Sequence, residues 1–166
     1  MIEGIEIYEG KKFKDDRGWF MESWCADAIH HDFCQDNTSF SKFGTLRGMH
    51  FQKEPFAQGK LVSVLVGSVF DVAVDVRKGS DTFGQWFGIE LSSENNQRMY
   101  VPEGFAHGFL VTSIEGALFH YKCTEFWNSE SEDSIVWNDP AIGIDWPITP
   151  IFISDKDKKA KTLDLI

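Results

Sequence analysis

The stretch GTLRGMHFQ, Gly44 to Gln52, sets an arginine and a histidine three residues apart among apolar neighbours. Histidine titrates near neutrality and can accept a proton, and arginine presents a planar fork of donors to a phosphate or carboxylate. In a strand of strict alternation Arg47 and His50 point to opposite faces, one solvated and the other buried and satisfied. Gly48 stands between them, where a side chain would otherwise take up room. Lys60, His107 and Tyr121 also interrupt apolar runs. Each has an ordinary explanation taken alone: a solvated strand start, a histidine bonded to backbone, a core tyrosine with one satisfied hydroxyl. Together with Arg47 and His50 they suggest a lined cavity.

The elements that must position these residues read as β-structure. KLVSVLVGSVFDVAVDVRKGS, from Lys60, holds two β-rich runs split by Gly67-Ser68, which predicts a two-residue hairpin. In the second run Phe70, Val72, Val74 and Val76 share one face and Asp71, Ala73 and Asp75 the other, so two aspartates on an inner face would mark a site. WFGIEL, QRMYVP, FAHGFLVTS and ALFHYKCTEF follow at close spacing, punctuated by Gly, Pro, Asn and Ser. Short helices are predicted at CADAIHHDF and in the tail SDKDKKAKTLDLI, where Ser154 and Asp157 have capping-box spacing. The pattern predicts a single all-β domain over 1–166, an antiparallel jelly-roll β-barrel with a few short helices and an interior able to hold a ligand.

Fifteen Phe and six Trp supply enough apolar surface for a real core without disulfides. Cys25, Cys34 and Cys123 are odd in number and widely spaced, which predicts free thiols in a reducing compartment. No basic-then-apolar leader or membrane-length apolar run is present, so a soluble cytoplasmic protein is expected, with no membrane partner. A net charge of -10 argues against a nucleic-acid-binding face, although a few inward cations can still hold a small phosphorylated ligand. Rolls that bind metal often use an HxH pair with a following carboxylate. Here His50 precedes Phe51 and Gln52, and His30 and His31 are adjacent, so no metal site is expected.

Seven blocks, DDRGWFMES, QDNTSFSKFGTLRGMHFQ, QGKLVSVLVGSVFDVAVDVRKGSDTFGQW, LSSENNQRMYVPEGFAHGFLV, YKCTEF, WNDPAIGIDWP and SDKD, resemble the dTDP-4-dehydrorhamnose 3,5-epimerases in the same order across nearly the whole chain. The resemblance implies a homodimeric cupin-type roll without metal or other cofactor, acting on a dTDP-linked 4-keto-6-deoxy sugar. It gives His50 the place of the catalytic base, Tyr121 that of the acid on the opposite side of the sugar, Asp157 that of the histidine's partner, and Lys60 a place near the ketone oxygen. It places Arg17, Phe20, Glu22, Gln35 and Asn37 around the nucleotide, and Arg47, His107, Glu132 and Lys156 at further ligand contacts. Where the family carries a tyrosine stacked on thymine, five residues after the tyrosine of YK, this chain has Phe126, whose ring can still stack.

These residue types suit the reaction. A proton beside a ketone is weakly acidic, so inversion needs a base, a partner for the enolate oxygen and an acid on the other face. The sequence leaves open an epimerase that inverts C3 alone, a related ketoisomerase, and a roll that only binds a sugar nucleotide.

Overall fold

Glycines and polar turns cut the apolar runs short, and the strands between them are short in consequence. The computed structural model describes residues 2–166. Its strands are β1 (Glu6–Glu9), β2 (Lys12–Asp15), β3 (Gly18–Met21), β4 (Gln35–Ser41), β5 (Thr45–Gln52), β6 (Lys60–Val66), β7 (Ser68–Asp75), β8 (Trp86–Ser92), β9 (Gln97–Val101), β10 (Phe105–Val111), β11 (Ala117–Cys123), β12 (Glu132–Ser134) and β13 (Phe152–Ile153), followed by a helical turn, α1 (Asp155–Lys158), and a 3-10 turn at Leu163–Leu165. One sheet runs β1-β9-β6-β11-β4 and the other β12-β5-β10-β7-β8, with β13 added in parallel to β5. β2 and β3 form a separate hairpin. This is the expected antiparallel jelly roll.

The inner faces of the two sheets meet in one apolar core, with Val62, Met99 and Phe119 from the first and Val69, Leu91 and Phe109 from the second. Each such side chain contributes roughly 2 kcal/mol on burial. The outer faces are covered as well. Met49, Phe51, Val72 and Val74 pack under Ile135, Ile142 and Leu163, while Leu61 and Tyr100 pack under Ile29. A strand covered on both sides reads as a continuous apolar run, which is why β7 is so rich in valine.

The hairpin expected at Gly67-Ser68 does not form. β6 pairs with β9 and β11, and β7 with β8 and β10, so the chain changes sheets at this corner. Gly67 has a φ of 81°, and a Cβ there would lie 2.2 Å from the Gly116 carbonyl oxygen, so glycine marks a tight crossing rather than a hairpin. The helix expected at CADAIHHDF is also replaced, by a turn in which the Cys25 carbonyl accepts from the N–H groups of Ala28 and Ile29. So short a helix gains little alone, and docking of Ile29, with Trp24 and Phe33, onto β6 and β9 decides its path. The tail helix stops at Lys158, because Lys161 bridges to Ile135 and draws the chain straight.

β5 departs from strict alternation. His50 stands opposite His107, and Arg47 opposite Phe109, so Gly48 and Met49 together face the single residue Gly108. The extra residue is a β-bulge, and it turns Arg47 and His50 to the same face despite their spacing of three. Gly48 adopts a φ of 132°, and a Cβ on it would lie 2.5 Å from Gly108 Cα. The room that Gly48 leaves is therefore taken by the backbone of β10, not by a ligand.

Candidate active site

Beside the apolar core, between the sheets, lies a cavity of about 620 Å³ that adjoins a smaller lobe of about 150 Å³. His50, Lys60 and Tyr121 border both. His50 comes from β5 in one sheet, and Lys60 on β6 and Tyr121 on β11 come from the facing sheet.

His50 Nε2 lies 2.7 Å from Asp157 Oδ1. Asp157 is held in α1, where its backbone N–H donates to Ser154 Oγ at 3.1 Å. Ser154 thus caps the turn as expected, but the Asp157 carboxylate turns to His50. Burial pushes that carboxyl up, yet His50, Ser154 and Gly48 together hold it below the ordinary carboxylate range. A fixed anion on Nε2 stabilises the imidazolium and leaves Nδ1 as the nitrogen available to a substrate. Across the cavity, burial pushes the Tyr121 phenol above its ordinary value, so its hydroxyl keeps its proton at neutral pH. Burial also pushes the Lys60 ammonium down, against the opposing pull of Cys123, Glu132 and Asp71.

The cavity inverts the sign of the whole chain. Arg47, Lys60, Lys156 and Lys158 border the large lobe against the single carboxylate of Asp157. Arg47 is anchored through Nε on Ser41 Oγ at 2.8 Å, a neutral partner that leaves its charge available. Lys156 Nζ lies 2.6 Å from Glu132 Oε2 on the rim. Gln35, Asn37 and Glu132 border the small lobe, and Gln35 Nε2 donates to Asn37 Oδ1 at 3.1 Å. Among the described residues, no group of three or more His, Cys, Asp and Glu side chains could hold a metal ion.

Not every expected residue reaches this cavity. Arg17 pairs with Asp15 at the tip of the β2–β3 hairpin with its side chain 90% exposed. Phe20 is exposed on the same hairpin, and Glu22 follows it; none of the three borders the cavity of its own chain. Phe126 lies outside both lobes, while Trp127 borders the small one, its backbone N–H donating to Gln35 Oε1 at 3.0 Å. Parity in an irregular loop cannot be read from alternation, so nothing in the pattern distinguishes these neighbours. Asp75 does not mark a site. It anchors the 77–82 loop by accepting from Arg77, Ser80 and Thr82, which outweigh its burial and keep it ionised. Ser39 and Lys158 border the cavity without having been expected.

A histidine backed by a carboxylate on one wall, with a phenol and an amine on the other, is a set of groups able to carry proton transfer, the chemistry of an isomerase. The chain belongs to the dTDP-4-dehydrorhamnose 3,5-epimerase family, whose model it matches over residues 1–164. A Shigella flexneri dTDP-4-dehydrorhamnose 3,5-epimerase is 50% identical over 162 residues, 94% of this chain and 89% of that protein. The structure of a Legionella pneumophila dTDP-6-deoxy-D-glucose-3,5-epimerase, in complex with dTDP-4-keto-L-rhamnose, superposes with a TM-score of 0.94 at 50% identity, covering 99% of this chain and 90% of that one. A 3′-monoepimerase from Streptomyces bikiniensis, in complex with dTDP-quinovose, superposes with a TM-score of 0.91 at 34% identity, covering 98% and 85%.

Asp157→Asn keeps the side-chain shape and the backbone bond to Ser154, so its melting temperature is expected to stay within a few degrees of wild type. Its epimerase turnover should fall on the order of a hundredfold, since the imidazolium loses its anion. Ser154→Ala is expected to cost about 1 kcal/mol of stability with a smaller loss of turnover. Wild-type turnover in Asp157→Asn would reduce that residue to part of a helix cap.

Proposed function

We propose that this chain inverts C3 and C5 of dTDP-4-dehydro-6-deoxyglucose, giving dTDP-4-dehydrorhamnose, through an enolate at each carbon. The observation that carries this reading is the opposition of His50 on one sheet, backed by Asp157 of α1, to Tyr121 and Lys60 on the other sheet, all at one cavity.

His50 Nδ1 takes the proton beside the C4 ketone, and the electron pair moves onto the ketone oxygen. Asp157 supports the imidazolium so formed. Lys60 donates to the enolate oxygen, an interaction stronger in the transition state than with the neutral ketone and worth roughly 3 kcal/mol. Tyr121 then delivers its proton to the opposite face of the same carbon, and exchange with water resets both groups. Arg47 and Lys156 suit the diphosphate, while Gln35, Asn37 and Glu132 suit the groups entering the small lobe. Trp127 borders the small lobe, and the exposed ring of its neighbour Phe126 suits stacking on the base.

The same reading bears on assembly. The resemblance assigns Arg17, Phe20 and Glu22 to the nucleotide, yet the hairpin stands away from its own cavity with Phe13, Trp19 and Phe20 exposed. A homodimer in which each hairpin reaches the other copy's cavity would reconcile that assignment with the exposed hairpin.

Incubation with dTDP-4-keto-6-deoxyglucose in deuterated water, followed by NMR, tests the reaction. Deuterium is expected at C3 and C5. Label at C3 alone would make the chain a 3′-monoepimerase, and no label would make it a binding protein. Sedimentation at micromolar concentration is expected to give the mass of two copies, and a monomer would contradict the shared site.

A further inference from the structure

The loop after β11 carries Phe126 and Trp127 beside the small lobe, yet among the described residues the backbone groups of 125–127 make no hydrogen bond to other backbone groups. Three glutamine side chains hold it instead. Gln58 Nε2 donates to the Glu125 carbonyl at 2.6 Å, Gln52 Nε2 donates to the Phe126 carbonyl at 3.1 Å, and Gln35 Oε1 accepts from the Trp127 N–H at 3.0 Å. Gln52 Oε1 also accepts from the Asn128 N–H at 2.7 Å. All three glutamines border the small lobe.

Gln52 is the hub of this cradle. It is buried at the end of β5, and a second bond from its Nε2, at 2.6 Å to the Phe56 carbonyl, ties the loop before β6 to the same amide. Both polar atoms are therefore used, and the reverse orientation of the amide would set its oxygen against two carbonyl oxygens. An amide suits the post because it serves carbonyls and an N–H at once, which a carboxylate cannot. The consequence falls on Phe126. Its ring is 61% exposed, so packing against its own fold does not place it, and the backbone held by the glutamines does.

We propose that Gln52, with Gln58, is a positioning residue that fixes the 125–128 backbone, so that the Phe126 ring is set in advance for the nucleobase. The two amides touch no reacting atom and act through the loop. They set nucleotide affinity and leave proton transfer at His50 and Tyr121 unchanged, although Gln52 lies only two residues from His50. The assignment rests on the dTDP-sugar reading above.

Gln52→Met keeps the length of the side chain and removes all three of its hydrogen bonds. Calorimetry is expected to show dTDP bound about tenfold more weakly by Gln52→Met and by Phe126→Ala, with the double variant within about twofold of Phe126→Ala, since one residue acts through the other. The kinetic loss in Gln52→Met should fall on KM, with kcat within about twofold of wild type. Wild-type dTDP affinity in Gln52→Met, a kcat lowered as far as the affinity, or additive losses in the double variant would overturn the assignment. Should Gln52→Met fail to fold, hydrogen exchange in the wild type decides. The Asn128 amide is expected to exchange on the order of a hundredfold slower than an open loop amide, and exchange at the open-loop rate would overturn the cradle. A wild type that protects Asn128 but binds no dTDP would refute the nucleotide reading while supporting the cradle.

Discussion

The backbone contact between Gly48 and Gly108 sets the phase of β5, and with it the side chains that face the cavity. Without the extra residue, alternation would send either Arg47 or His50 to the outer face, among Met49, Phe51 and Val72. The bulge needs glycine on both strands, since a Cβ on Gly108 would lie 2.7 Å from the Arg47 carbonyl oxygen. The functional pair is therefore bought by local backbone geometry, in a strand otherwise packed on both faces.

Charge is arranged on the same plan. A chain of net charge -10 gathers cations on the cavity wall, and each buried anion nearby has a specific cationic or ionisable neighbour: Asp157 with His50, Asp71 with His107 and Lys60. Pairing inside a low-dielectric space keeps those charges in place and makes their effect on a developing enolate larger than it would be in water. The two sheets hold the opposed groups on separate walls, so in the proposed reaction a sugar between them meets the His50 imidazole on one side and the Tyr121 phenol on the other.

Much of this was legible in the sequence. Alternation in β7 correctly separates Asp71 from the valines, and the polar interruptions at Lys60, His107 and Tyr121 do mark the cavity. It could not show that Asp71 reaches His107 while Asp75 ties down a loop, because partners of buried carboxylates come from strands distant in sequence. Gly67 signals a sharp change of direction in either case, and only sheet closure makes it a corner instead of a hairpin. Arg47 and His50 share a face through a bulge that spacing alone argues against. Spacing alone gives Asp157 only a place in a helix cap; the resemblance pairs it with His50, 107 positions away, and the two do meet.

The opposition of His50 and Tyr121 across the cavity is the central claim, and Tyr121→Phe reaches it most directly. The variant keeps the ring and removes the donor, so His50 can still abstract a proton and return deuterium from solvent to the same face. Deuterium wash-in to the keto sugar should therefore continue, while inverted product forms slower by on the order of a hundredfold or more. Inversion at the wild-type rate in Tyr121→Phe would contradict the account, because the proton would then reach the far face from some other group.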